Sequence, residues 1–177
     1  PVHLTAVIIF GISMVLLYSA SATYHLVVAS EKVIAFLRKI DHSMIFILIA
    51  GSYTPFCLIA LKGVKGWVSF GIIATIAVCG VLFKMIWFNC PRWVSTCIYV
   101  GMGWMSILLI EPLCSAISFG GMFLLILGGI LYTIGAVIYG AKPSAFKFKN
   151  LGFHEIFHIF ILLGSLCHFF SVFQYVI

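Results

Sequence analysis

The chain has 177 residues, 64% of them hydrophobic and 8% charged, with a formal net charge of +6 and a mean hydropathy of +1.26. A soluble globular domain is close to half apolar and a quarter charged, so this composition excludes one and specifies an integral membrane protein. The apolar runs are too long for barrel strands, which leaves an all-α transmembrane bundle, and the basic residues sit at the ends of those runs, where they set topology rather than bind nucleic acid.

Six spans are predicted, at about 4–29, 41–61, 67–88, 93–110, 119–140 and 153–177, forming one transmembrane helical domain over 1–177. The first ends in the run Tyr18-Ser-Ala-Ser21-Ala-Thr-Tyr-His25, and residues 30–40 then read as a short basic loop with Lys32, Arg38 and Lys39. The second span opens at Asp41, a residue type suited to capping a helix. It contains Pro55, which cannot donate to the carbonyl of Gly51, so a kink is expected there with Ser52 and Thr54 available to repair the hydrogen bonding.

Residues 62–66 read as a polar turn, Lys84 as a snorkelling lysine near the end of the third span, and Glu111-Pro112 as the stop of the fourth. The fifth span carries Gly120, Gly121, Gly128, Gly129 and Gly135, small residues that let helices approach closely in lipid. A basic stretch with Lys142, Lys147 and Lys149 leads to the sixth. The six cysteines form no CxxC pair and read as small reduced core residues.

Alternating loops give one membrane side Lys32, Arg38, Lys39, Lys84, Arg92, Lys142, Lys147 and Lys149, and the other only Lys62 and Lys65. The first side should face the cytoplasm, which places Pro1 and Ile177 outside. A further span before Pro1 would return the amino terminus to the cytoplasm and make seven.

This topology brings four groups to one membrane level. His25 lies about one turn inside the cytoplasmic end of the first span, Asp41 opens the second, and His154 and His158 open the sixth. Ionisable groups at such depth are costly and face the bundle interior. His154 and His158 are four residues apart, so both rings leave one helix face and could hold one metal ion. Equally, they could bond neighbouring helices. Three histidines with a carboxylate make a plausible zinc set with room for a water, as in catalytic zinc sites.

Asp41 could bind the metal, hold its water or act as general base. Ser21, one turn before His25, could serve an oxyanion or bond its own helix. His42 reads as interfacial. His168, roughly 15 Å deeper than His158 at 1.5 Å per residue, reads as a core hydrogen-bonding residue. His154-Glu155-Ile156-Phe157-His158 also fits the H-E-x-x-H pattern of zinc proteases, with Glu155 as general base.

Ser21-Ala-Thr-Tyr-His25, Asp41-His-Ser, Ala50-Gly-Ser-Tyr-Thr-Pro-Phe56, Gly101-Met-Gly-Trp104 and His154-x3-His158 together resemble the hemolysin III family, which belongs with the progestin and adipoQ receptors, including the adiponectin receptors. The resemblance covers nearly the whole chain in order. It implies a seven-helix fold, here without its first helix, and a cytoplasmic-side zinc site. It assigns zinc to His25, His154 and His158, a water-mediated contact to Asp41, and the serine of a wider membrane-hydrolase pattern to Ser21, while Glu155 has no part.

The leading expectation is a zinc-dependent hydrolase of a lipid amide or ester in the plasma membrane. The alternatives are a non-enzymatic membrane-perturbing haemolysin, a receptor-like protein with structural zinc, and an intramembrane metalloprotease.

Overall fold

The structure, a computed structural model, describes residues 1–142 and 152–177. Among the described residues six helices are long and apolar enough to cross a membrane: Val2–Leu26, Glu31–Leu61, Gly63–Ile86, Arg92–Ala116, Phe119–Ala141 and Phe153–Tyr175. Among the described residues there is no strand. The chain divides into two compact units, Pro1–Asn89 and Cys90–Ile177. Lys147 and Lys149, two of the charges used to orient the chain, lie outside the described residues.

The first unit holds α1 (Val2–Leu26), α2 (Glu31–Pro55), a π-helical turn (Phe56–Leu61) and α3 (Gly63–Ile86). α1 buries Ala6, Phe10, Ser13 and Leu17, the four-three-four spacing of one helix face. Where Ser13 meets α2 the opposing residue is Gly51, and a β-carbon there would collide with the Ser13 hydroxyl. On the other side of α2 the Phe46 ring fills the place of a side chain at Gly80 of α3. One small residue on each interface thus sets how closely the helices approach.

Besides residues 63–66, read as a turn but forming the start of α3, two boundaries differ from the sequence reading. The second helix begins at Glu31, so the segment 30–40 is helical and Asp41 sits ten residues inside the helix instead of capping it. Its charges mimic a loop, but Lys32, Arg38 and Lys39 are compatible with the end of a helix that outruns the hydrocarbon layer. The 31 residues from Glu31 to Leu61 would measure about 46 Å at 1.5 Å per residue, against a hydrocarbon core of about 30 Å. Second, Glu111-Pro112 does not end the fourth span. Helix α4 (Arg92–Trp104) tightens into a 3-10 segment (Met105–Leu109) and resumes as α5 (Ile110–Ala116). Pro112 falls in the first turn of α5, where a missing N–H is tolerated.

The irregularity expected at Pro55 is present: the helix widens into the π turn directly after it. The Ser52 hydroxyl donates to the Ile49 carbonyl at 2.8 Å and the Thr54 hydroxyl to the Ala50 carbonyl at 3.1 Å. Both hydroxyls therefore serve the turn just before the proline. Lys62 and Gly63 then take positive φ, 53° and 59°, and reverse the chain into α3.

The second unit is organised on α6 (Phe119–Ala141) and α7 (Phe153–Tyr175). Gly121, Gly128 and Gly135 recur every seven residues, and each meets α7: Tyr175, His168 and Phe160 respectively. A seven-residue repeat keeps one seam facing the partner helix. The Ser171 hydroxyl donates to the Gly121 carbonyl at 2.8 Å, and the Tyr132 and Ser165 hydroxyls bond at 2.7 Å. Trp104 donates its indole N–H to the Thr133 hydroxyl at 2.8 Å, tying α4 to α6.

Cys57 and Cys90 are buried, but Cys79, Cys97 and Cys114 are exposed on apolar helices instead of lying in a core.

Candidate metal centre

The sixth span begins at Gly152, whose N–H donates to the Glu155 carboxylate at 2.8 Å. This half of a capping box uses Glu155 to satisfy an orphan donor at the helix start. Glu155 is exposed. Its carboxylate is occupied by the cap, an arrangement that gives no support to a general-base role.

One turn of helix separates His154 from His158, and their rings meet. The Nε2 atoms are 3.1 Å apart, in a hydrogen bond in which one ring donates and the other accepts. The ring planes stand at 89° with centroids 4.7 Å apart. Two nitrogens on a tetrahedral zinc at about 2.0–2.1 Å are about 3.3 Å apart. The pair therefore fits one edge of such a site with little movement. Tyr139 of α6 flanks it, 6.1 Å from the His154 ring and 4.9 Å from Phe157, and the Arg92 guanidinium lies over Tyr139 at 5.5 Å.

In the first unit a second group forms where α1 ends against α2. Asp41 is buried at 8% exposure. Ser21 hydrogen-bonds its carboxylate, and His25 is close enough to act on its charge. Ser21 is half-buried and extends the face that α1 turns toward α2, while His25 occupies the last turn of α1. The Tyr24 and His25 rings pack at 4.7 Å. The five residues singled out in the sequence thus assemble as Ser21, His25 and Asp41 in one unit and His154 and His158 in the other.

The remaining histidines take other parts. His168 donates its Nε2–H to the Leu125 carbonyl at 3.2 Å and packs edge-on against Tyr132, as expected of a core residue. His42 stacks on Phe88, with centroids 5.7 Å apart. His3 is exposed. Tyr139 escaped the sequence reading. The glycine repeat of α6, set antiparallel to α7, would have placed it beside Phe157.

The family model for haemolysin-III related proteins matches residues 1–169. This chain belongs to that family. It is 41% identical over 167 residues to the Hemolysin-3 homolog of Bacillus subtilis (strain 168), an alignment covering 94% of this chain and 75% of that protein. It is likewise 41% identical over 169 residues to Hemolysin-3 of Bacillus cereus, covering 96% of this chain and 74% of that one. A more distant relative is the ADIPOR-like receptor IZH2 of Saccharomyces cerevisiae (strain ATCC 204508 / S288c), 31% identical over 174 residues, covering 84% of this chain and 52% of the receptor. As a haemolysin-III related protein the chain is an integral membrane protein with relatives among adiponectin-receptor-like proteins.

Proposed function

We propose that this haemolysin-III related protein is a zinc-dependent hydrolase of a lipid amide or ester, working at the cytoplasmic side of the plasma membrane. The observation that carries the reading is the convergence of the His154 and His158 Nε2 atoms at 3.1 Å. His25 would supply a third imidazole, each residue offering one ring nitrogen. Three neutral nitrogen donors are the donor set of a catalytic zinc. When bound, the metal would act as a Lewis acid on the scissile carbonyl and acidify a water.

The chain's own residues then divide the remaining work. Asp41 takes a proton from the attacking water and returns it to the leaving nitrogen or oxygen, so that water and lipid become a fatty acid and an amine or alcohol. Burial and the Ser21 hydrogen bond hold its carboxylate in one orientation. Ser21 is committed to Asp41 in this structure, which favours a positioning role over direct stabilisation of an oxyanion. Glu155, engaged by the helix cap, takes no part.

The relatives' names suggest a non-enzymatic reading, in which the protein perturbs membranes, as the bacterial name hemolysin implies, or acts as a receptor, as the yeast relative's name implies, with any zinc structural. A water-filled pore needs polar side chains along several spans, and the apolar composition counts against one.

The deciding experiment measures zinc in purified wild type, His25→Ala and His158→Ala, and then ceramide cleavage by the same samples. One zinc per chain, lost in both variants together with cleavage, is the expected result. A well-folded wild type without zinc would remove the mechanism, and dye leakage from liposomes would then test the membrane-perturbing reading.

A further inference from the structure

We propose that the adjoining ends of α2 and α3 form a phosphate site, filled in the membrane by an anionic lipid headgroup. The two helices run antiparallel with Phe46 against Gly80. One turn further along each, the register pairs His42 with Lys84, and another turn pairs Arg38 with Phe88. The contacts follow it. His42 stacks on the Phe88 ring, and three cations surround that same ring: Arg38 at 4.8 Å from its centroid, Lys84 at 5.6 Å and Lys39 at 5.9 Å.

An aromatic face attracts cations but carries no net charge, so it draws Arg38 and Lys39 together without neutralising them. Among the described residues neither Arg38 nor Lys39 has a carboxylate partner. Asp41, three residues past Arg38, is engaged by Ser21 on the α1 side of the helix. Glu31 lies seven residues earlier, in the first turn. Lys84 is buried, at 3% exposure, so the exposed Arg38 and its neighbour Lys39 carry the site.

An anion that accepts hydrogen bonds on every side suits this arrangement, and phosphate matches the guanidinium fork of Arg38. Position selects the source. The first turns of α2 would project past the hydrocarbon, since the span Glu31–Leu61 is about 16 Å longer than that layer. Arg38 and Lys39 would then lie among headgroups. Phe36, Leu82, Met85 and Ile86 on the same two helix ends are exposed apolar surface, suited to acyl chains. Phosphatidylcholine shares the phosphate but brings a cation the cluster repels, so phosphatidic acid should be preferred.

The test reconstitutes the full chain in phosphatidylcholine nanodiscs containing some phosphatidic acid, releases it, and counts retained lipid by native mass spectrometry. Wild type should retain phosphatidic acid over phosphatidylcholine. Retention should fall about fivefold in each of Arg38→Gln and Lys39→Gln, the effect of one interfacial cation, and stay unchanged in Lys62→Gln, beyond the π turn at the other end of the span. Undiminished retention in the Arg38→Gln/Lys39→Gln double variant overturns the site. In a second arm inorganic phosphate alone is added to delipidated protein. No shift in Tm is expected, and a rise in Tm that Arg38→Gln abolishes would overturn the lipid assignment in favour of free phosphate. Lys84 is buried, and replacing it endangers folding, so exposed Arg38 carries the test.

Discussion

The His168 ring occupies the space that a β-carbon on Gly128 would need, and its Nε2 reaches the Leu125 carbonyl one turn up the same helix. Gly128→Ala must therefore displace the ring and break that bond, at a cost of about 1–3 kcal/mol for an overpacked core. Its neighbour Gly129 faces open space. There alanine should be neutral or stabilise by about 0.5–1 kcal/mol, through a better-behaved helix backbone. Detergent unfolding should show Gly128→Ala destabilised and Gly129→Ala at least as stable as wild type. Equal destabilisation would contradict the seam assigned to α6 and α7.

The crossing of α1 and α2 admits a sharper test, because both partners are known. Gly51→Ala should destabilise by about 1–3 kcal/mol, since its methyl group meets Ser13. Ser13→Gly in the same chain removes the obstacle. The double variant should recover part of the loss despite the added glycine, giving a favourable coupling energy in a double-mutant cycle. Strict additivity would mean the two residues do not touch.

The spans were legible because lipid leaves helices no alternative, and long apolar runs announce themselves. Their ends were less so. Lys32, Arg38 and Lys39 resemble a loop when read as composition, yet they lie on a helix whose Phe46 face packs on Gly80. Only the partner helix reveals that register. Pro112 resembles a stop because its position within a turn is invisible until the preceding 3-10 segment is known. Within the site, the spacing of His154 and His158 dictated their meeting, a local consequence of one helix. The Ser21–Asp41 bond depends on two helices and was not legible, although both residues had been singled out.

Glu155 separates the two chemistries that the H-E-x-x-H pattern allows. Its carboxylate receives the Gly152 N–H, so Glu155→Ala should lower Tm slightly through loss of a cap. Zinc content and lipid turnover should remain at wild-type values. Loss of all turnover with zinc retained would return Glu155 to the role of general base, and peptide substrates would then deserve the same assay.

Asp41 and Ser21 make the most discriminating pair, because the proposed roles are unequal and linked. Asp41→Asn keeps the shape and can still accept the Ser21 hydrogen bond, but it cannot take a proton. Turnover of a lipid amide should fall by about 10²–10⁴, the usual contribution of a general base, with zinc content unchanged. Ser21→Ala frees the carboxylate to rotate and should cost less, again with zinc retained. If Ser21 acts by holding Asp41, its removal has little further effect once Asp41 is asparagine, so the double variant should be no slower than Asp41→Asn alone. An oxyanion contact made independently by Ser21 would instead give losses that multiply. Measuring kcat/KM for the wild type, both single variants and the double variant distinguishes the two roles, since both predict a slow Ser21→Ala and only the cycle separates them.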